Sequence, residues 1–197
     1  MSRDFIYLAA AAPRRRMLLE QIGVPFQVRP SEVLEEPGPG ESAEACAMRL
    51  ALTKADSVWE GLSAGEARPV LAADTVVAVD DRVLGKPRDV GEASEMLEQL
   101  SGRNHRVLTA VALRYRDRVL SRLNATEVRF RATTKEELIA YCETGEPMGK
   151  AGSYAIQGRG AVLVEHLTGS YSSVVGLPLA ETADLLEELG FPLWPRV

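Results

Sequence analysis

Apolar residues follow two rhythms along the chain. Short blocks rich in β-branched and aromatic residues alternate with longer stretches whose apolar positions recur every three or four residues. Residues 5–8 form the first block, Phe-Ile-Tyr-Leu, and predict a buried strand. Four alanines or similar small residues, 9–12, make a tight loop. Pro13 suits the first position of a helix, where its missing N–H would have no partner anyway. Met17, Leu18 and Ile22 then recur at helical spacing, and Gly23 is a natural stop. Phe26–Val28 predicts a second strand, and the acidic, Pro- and Gly-rich residues 31–40 predict a loop. Residues 42–59 predict a helix with Ser42 as its N-cap. Its expected buried face carries Ala45, Met48, Leu52 and Ala55, with Arg49 and Lys54 elsewhere.

Residues 69–73 are continuously apolar, as expected of a central strand covered on both faces. This strand is expected to end in a turn at Asp74-Thr75, with 76–79 running on extended. Asp80-Asp81 then turns the chain into a hairpin partner, Arg82–Leu84. Val90–Leu100 predicts a helix, residues 106–115 and 118–131 a β-meander, and 135–144 another helix. A Gly-rich stretch at 149–160 precedes a strand at 161–165, and Leu179–Leu189 is a closing helix ended by Gly190. The fold class is α/β: a mixed, twisted sheet flanked by helices. The hairpin and meander demand antiparallel neighbours, which argues against a purely parallel sheet. No long polar linker divides residues 1–197, so one domain is expected.

Composition narrows the partners. Charged residues make up 26% of the chain and the net charge is -5, with both signs interspersed. That disfavours wrapping duplex nucleic acid, which needs a basic face. No apolar stretch approaches the roughly 20 residues of a membrane span. Met1-Ser2-Arg3-Asp4 carries an acid and leads into a short apolar run that ends at Pro13, a poor signal peptide. Cys46 and Cys142 lie far apart with no CxxC, so a reducing compartment, the cytoplasm, fits best. His105 and His166 are also far apart and make weak candidates for a histidine-based triad.

Five groups of residues have candidate chemistry. Arg14, Arg15 and Arg16 open a helix, where free N–H groups and the dipole favour an anion; the alternative is a solvated basic patch. Asp74 beside Thr75 can hold a divalent cation or activate water, or else cap its own turn. The acidic loop containing Glu32, Glu35 and Glu36 offers hard oxygen ligands for Mg²⁺, or is solvated. Lys86, set before Pro87, and Lys54 are cations for phosphate oxygens, or surface residues. Gly152-Ser153-Tyr154-Ala155-Ile156-Gln157-Gly158 and Gly169-Ser170-Tyr171 allow close ligand approach, with Gln157 able to read a base edge, or form two β-turns. Anion site, carboxylates and lysines together describe metal-assisted attack of water on a phosphoryl chain.

Arranged in order, these residues resemble the Maf family of nucleoside triphosphate pyrophosphatases. The resemblance rests on Leu8-Ala9 with Pro13-Arg14-Arg15, Arg49-Leu50-Ala51 with Lys54-Ala55, and Ala73-Asp74-Thr75-Val76. Leu84-Gly85-Lys86-Pro87, Ala151-Gly152-Ser153-Tyr154 with Gln157-Gly158, and Gly169-Ser170-Tyr171 with Val174 to Leu179 complete it. It spans residues 8 to 189 and implies an ITPase/Maf-like fold. It further implies a cytoplasmic homodimer that, with Mg²⁺ or Mn²⁺, cleaves a nucleoside triphosphate to the monophosphate and pyrophosphate. Asp74 would be the catalytic carboxylate and, with Glu35, a metal ligand. Arg15, Lys54 and Lys86 would take the phosphates. Arg14, Thr75 and Gln157 match the positions that separate the branches, and resemble the branch acting on dTTP and UTP. The branch acting on 7-methyl-GTP has Trp, Gln and Glu there. The resemblance also leaves two rivals: a pyrophosphatase for another modified nucleotide, and a nucleotide-binding regulator of cell division. Two departures stand out. Ala10, Ala11 and Ala12 replace the serines usual before Pro-Arg-Arg, and the early acidic pair reads Leu34-Glu35. A lost bond to a charged phosphate removes on the order of 1.5–3 kcal/mol.

Overall fold

A computed structural model describes residues 5–80 and 82–194. Residues 1–4, weighed above as a leader, and Asp81 of the expected turn lie outside the described residues. Strand β1 (Ile6–Leu8) leads to helix α1 (Pro13–Gln21), then β2 (Phe26–Val28) and α2 (Ala43–Glu60). Next come β3 (Val70–Val79), β4 (Arg82–Leu84), α3 (Val90–Leu100), and the long pair β5 (Asn104–Tyr115) and β6 (Arg118–Phe130). Helix α4 (Lys135–Glu143), β7 (Val164–Thr168), α5 (Tyr171–Val175) and α6 (Leu179–Leu189) close the chain.

All seven strands join one sheet in the order β2-β1-β3-β5-β6-β7, with β4 also on β3. The β2-β1-β3 pairings are parallel and the others antiparallel, so the sheet is mixed, as the hairpin and meander required. Alternation along β3 divides the core. Leu71, Ala73, Val77 and Val79 pack toward α1, α3, α4, α5 and α6. Val70, Ala72, Val76 and Ala78 face α2 alone, through its Ala47, Ala51 and Ala55. Small residues on both sides of that contact let the helix lie close to the sheet.

Four expectations needed correction. Asp74 and Thr75 do not end a strand: β3 runs unbroken through them, paired with Ala110 and Thr109 of β5. A full ladder on the β5 side holds the backbone extended where side-chain chemistry alone suggested a turn. The buried face of α2 is carried by Ala43, Cys46, Ala47, Leu50, Ala51, Lys54, Ala55 and Val58; of the expected residues Ala55 lies on it, Met48 and Leu52 are half-buried against it, and Ala45 is exposed. Lys54 lies on that face rather than off it, and its two carboxylate partners compensate the burial of its charge. The strand expected at 161–165 starts later, at Val164, after a 3-10 segment at Arg159–Leu163. Of the two readings of Gly169-Ser170-Tyr171, the β-turn gives way at its end, because Tyr171 begins the short helix α5, capped by the Ser170 hydroxyl.

Candidate active site

The site opens where the sheet is split. Along one edge of β3, β1 pairs only with Val70 and Leu71, and β4 only with Val77, Ala78 and Val79. The edge between them, at Asp74 and Thr75, is left uncovered. Two chain segments enter this gap. One leaves β1 as Ala9, Ala10, Ala11 and Ala12 and starts α1; the other leaves β4 as Gly85 and Lys86. The rule that sites lie beyond the carboxyl ends of parallel strands therefore holds for β1, not for β3. A cleft of about 630 Å³ fills the gap, lined by the four alanines, Arg14, Arg15, Ser31, Glu35, Lys54, Asp74, Thr75 and Lys86, among others.

Because neighbouring strand residues point to opposite faces, Asp74 and Thr75 serve different sides. Asp74 points toward α2, where the Lys54 ammonium donates to its Oδ1 at 2.6 Å. Lys54 also donates to Glu35 Oε1, and Lys86 donates to Glu35 Oε2. Two carboxylates and two ammonium groups thus form one chain. Burial opposes charge on Glu35, yet the bonds from Lys54 and Lys86 outweigh it and hold its carboxyl at about 2. Lys54 is 2% exposed and Lys86 50%, so the first is fixed and the second is free to move. Opposite them, Arg15 donates from Nε to the Gly176 carbonyl at 2.8 Å, which leaves the end of its guanidinium for the cleft. Burial, then the like charge of Arg15, draws Arg14 down to about 10, against Glu35 and Asp74. Among the described residues no hydrogen bond or ion pair engages the Arg14 guanidinium.

Thr75 points the other way, into a smaller lobe of about 360 Å³. Arg14, Lys150, Ala151, Tyr154, Gln157 and Val174 are among the residues that line it. Its hydroxyl has a defined polarity. Thr109 gives its only proton to the Ser173 carbonyl at 2.8 Å. In the 3.1 Å contact between the two threonines, Thr75 is therefore the donor, and its oxygen is left to accept from a ligand. Gly176 sits between the lobes at φ +130, and a Cβ there would lie 3.2 Å from Arg14 Nε. Only glycine keeps this junction open. The cluster thus combines a charge-dense compartment fit for phosphates with a smaller one that presents the Thr75 hydroxyl and the Gln157 amide.

Residues 5–189 match the family described as Maf-like protein. The chain belongs to the Maf-like family. Among its relatives, the "dTTP/UTP pyrophosphatase" of Aromatoleum aromaticum is 48% identical, covering 95% of this chain and 97% of that one. The protein of the same description from Alkalilimnicola ehrlichii is 51% identical over 94% of this chain and 93% of its own. That from Yersinia pestis is 49% identical, at 92% and 91%. A solved structure, the Staphylococcus aureus Ham1 protein, superposes with a TM-score of 0.46 at 13% identity over 64% of this chain and 72% of that chain. That likeness is too loose to bear on the argument.

The Maf-like fold gathers the residues singled out in the sequence. Arg14, Arg15, Glu35, Lys54, Asp74, Thr75 and Lys86 line the large cleft, while Gln157 joins Arg14 and Thr75 in the small lobe. Arg16 and Glu32 do not line either. Thr109 and Lys150 are not among the residues singled out in the sequence, whereas Tyr154 is. A threonine in a meander strand is an ordinary β-former and gives no signal. Lys150 does carry one, since it lies inside the Gly-rich stretch at 149–160.

Proposed function

We propose that this Maf-like protein is a hydrolase acting on acid anhydrides, a nucleoside triphosphate pyrophosphatase for dTTP and UTP. The observation that carries the reading is the Asp74–Lys54–Glu35 chain in a cleft walled by Arg14, Arg15 and Lys86, with Thr75 and Gln157 in the adjoining lobe. The names of relatives about half identical over nearly the whole chain support the substrate.

In this reading Arg15 and the free end of Arg14 neutralise the phosphates. The start of α1, which follows the N-cap Ala12, adds the partial positive charge of a helix N-terminus for an anion. Lys86 leaves Glu35 and joins them. Lys54 is too buried to follow, so its role shifts from phosphate ligand to holding Asp74 and Glu35 in place. Asp74 accepts a proton from water. The water oxygen bonds to the α-phosphorus, and the bond from that phosphorus to the bridging oxygen breaks. Pyrophosphate departs against the arginines and Lys86, and the monophosphate remains. Thr75 accepts an N–H from the pyrimidine edge, and Gln157 offers both a donor and an acceptor.

The donor set fits a divalent cation that arrives with its substrate. Two carboxylates share Lys54, and among the described residues no group of three or more acidic, His or Cys side chains could hold a metal ion by itself. Mg²⁺ or Mn²⁺ held by Asp74, Glu35 and phosphate oxygens would supply charge neutralisation and polarise the phosphoryl group.

The same reading makes residues 1–197 one domain and places the protein in the cytoplasm. The free, buried thiols of Cys46 and Cys142 support a reducing compartment. No helix among the described residues is long and apolar enough to cross a membrane. A homodimer follows from the family resemblance. The alanine wall favours one second reading: a nucleotide-binding regulator with slow turnover, which would show affinity without pyrophosphate release. A panel of nucleoside triphosphates, assayed with Mg²⁺, with Mn²⁺ and with chelator, separates the two. We expect pyrophosphate from dTTP and UTP, lost with chelator. Preference for a purine nucleotide, or release of orthophosphate instead, would contradict the proposal.

A further inference from the structure

Glu146 lines neither lobe, yet three donors converge on its side chain. The Tyr141 hydroxyl donates to Oε1 at 2.8 Å and the Gly160 N–H to the same oxygen at 2.9 Å. The Arg159 N–H donates to Oε2 at 2.9 Å. Tyr141 is itself tied to the loop, because its oxygen accepts from the Ala155 N–H at 3.3 Å. The Glu146 carbonyl also accepts from the Lys150 ammonium, which lines the small lobe. Burial opposes charge on Glu146, but the N–H groups of Gly160 and Arg159, then Tyr141, keep its carboxyl below the usual range.

Two glycines make this grip possible. A Cβ on Gly158 would lie 2.8 Å from Glu146 Oε1, and one on Gly160 would lie 2.7 Å from the Tyr141 hydroxyl oxygen. Neither has a positive φ, so both are there for close approach rather than for an unusual backbone. Residues 155–160 are thus wrapped around a carboxylate behind them. Gln157 stands at the crest of that loop, exposed, with its amide free of hydrogen bonds among the described residues.

We propose that Glu146 is the positioning residue of the small lobe: it fixes the loop from behind so that Gln157 presents its amide to the nucleobase. The inference rests on the pyrimidine-nucleotide reading and adds a residue that never touches substrate. Selectivity for the base then depends on Glu146, while the grip on the phosphates does not.

Calorimetric binding with chelator present, using UTP and inorganic triphosphate as probes, tests this directly. Glu146→Ala should weaken UTP about tenfold, as one lost hydrogen-bond set implies, and leave inorganic triphosphate unchanged. Gln157→Ala should do the same, and the double variant should be no weaker than either single one. Gly158→Ala pushes the carboxylate aside without removing it and serves if Glu146→Ala folds poorly; it should again weaken UTP alone. Equal weakening of both probes marks a general structural role and overturns the proposal, as does unchanged UTP affinity. A wild-type protein that binds UTP no tighter than inorganic triphosphate contradicts the pyrimidine reading, and this inference with it.

Discussion

The two compartments of the cleft differ in almost every physical respect, although the side chains that define them are adjacent in sequence. Asp74 belongs to a compartment of fixed charges, where a buried lysine joins two carboxylates and two arginines stand opposite. Thr75 reaches into a compartment where hydrogen-bonding groups stand beside the cations Arg14 and Lys150, held by a relay from Thr75 through Thr109 to the Ser173 carbonyl. One strand serves both because its side chains alternate. The strand then separates two kinds of contact, the Asp74–Lys54–Glu35 ion chain on the α2 side and the Thr75–Thr109 relay on the other, while Arg14 borders both compartments. Losses in the first compartment should be large and should involve stability. Those in the second should be smaller and confined to recognition.

The largest expected effect falls on the buried ion chain. Lys54→Met leaves Asp74 buried without its cation, which should cost about 3–5 kcal/mol of folding stability. Lys86→Met removes a half-exposed partner of Glu35 and should cost less than about 1 kcal/mol. Urea denaturation of both variants measures the contrast, and equal losses would break it. A middle-sized effect is expected at the phosphate wall. Ala11→Ser restores a hydroxyl at the cleft and should tighten inorganic triphosphate by up to about tenfold. No gain would mean that the backbone N–H groups already satisfy the anion.

A pH-dependent effect concerns the support of the smaller compartment. His105 bonds Tyr154 at 2.9 Å through Nε2, and burial pushes it from 6.5 down to about 4. Its folded value lies below its unfolded one, so the unfolded chain binds the extra proton first. Stability from this source is complete above about 6.5 and is lost progressively as pH falls toward about 4. His105→Phe should flatten that part of the stability profile. An unchanged slope between those pH values would remove His105 from the account.

Much of this was legible in the sequence, for identifiable reasons. Pro13 and Gly23 bracket α1, and Val90–Leu100 and Leu179–Leu189 show clear helical periods, so these elements emerged with correct bounds. Arg14 after Pro13, Lys86 between Gly85 and Pro87, and Gln157 before Gly158 were also legible, because polar side chains set beside backbone-fixing residues stand out in a sequence. What failed was tertiary. Asp74 interrupts an apolar run, and nothing local shows that β5 keeps the strand straight or that Lys54 arrives from α2 to meet it. Lys54 looked like a surface residue because its partners lie 19 and 20 positions away. Thr109 and Glu146 act through backbone groups of distant segments, which no local pattern records.

That separation is tested most directly by steady-state turnover of UTP in Asp74→Asn beside Thr75→Val. Asp74→Asn should lower kcat by about 10²–10⁴-fold with the fold intact and UTP still bound. Thr75→Val should raise KM while kcat stays near the wild-type value. Full turnover in Asp74→Asn, or loss of kcat in Thr75→Val as deep as in Asp74→Asn, would contradict the assignment of chemistry to one face and recognition to the other.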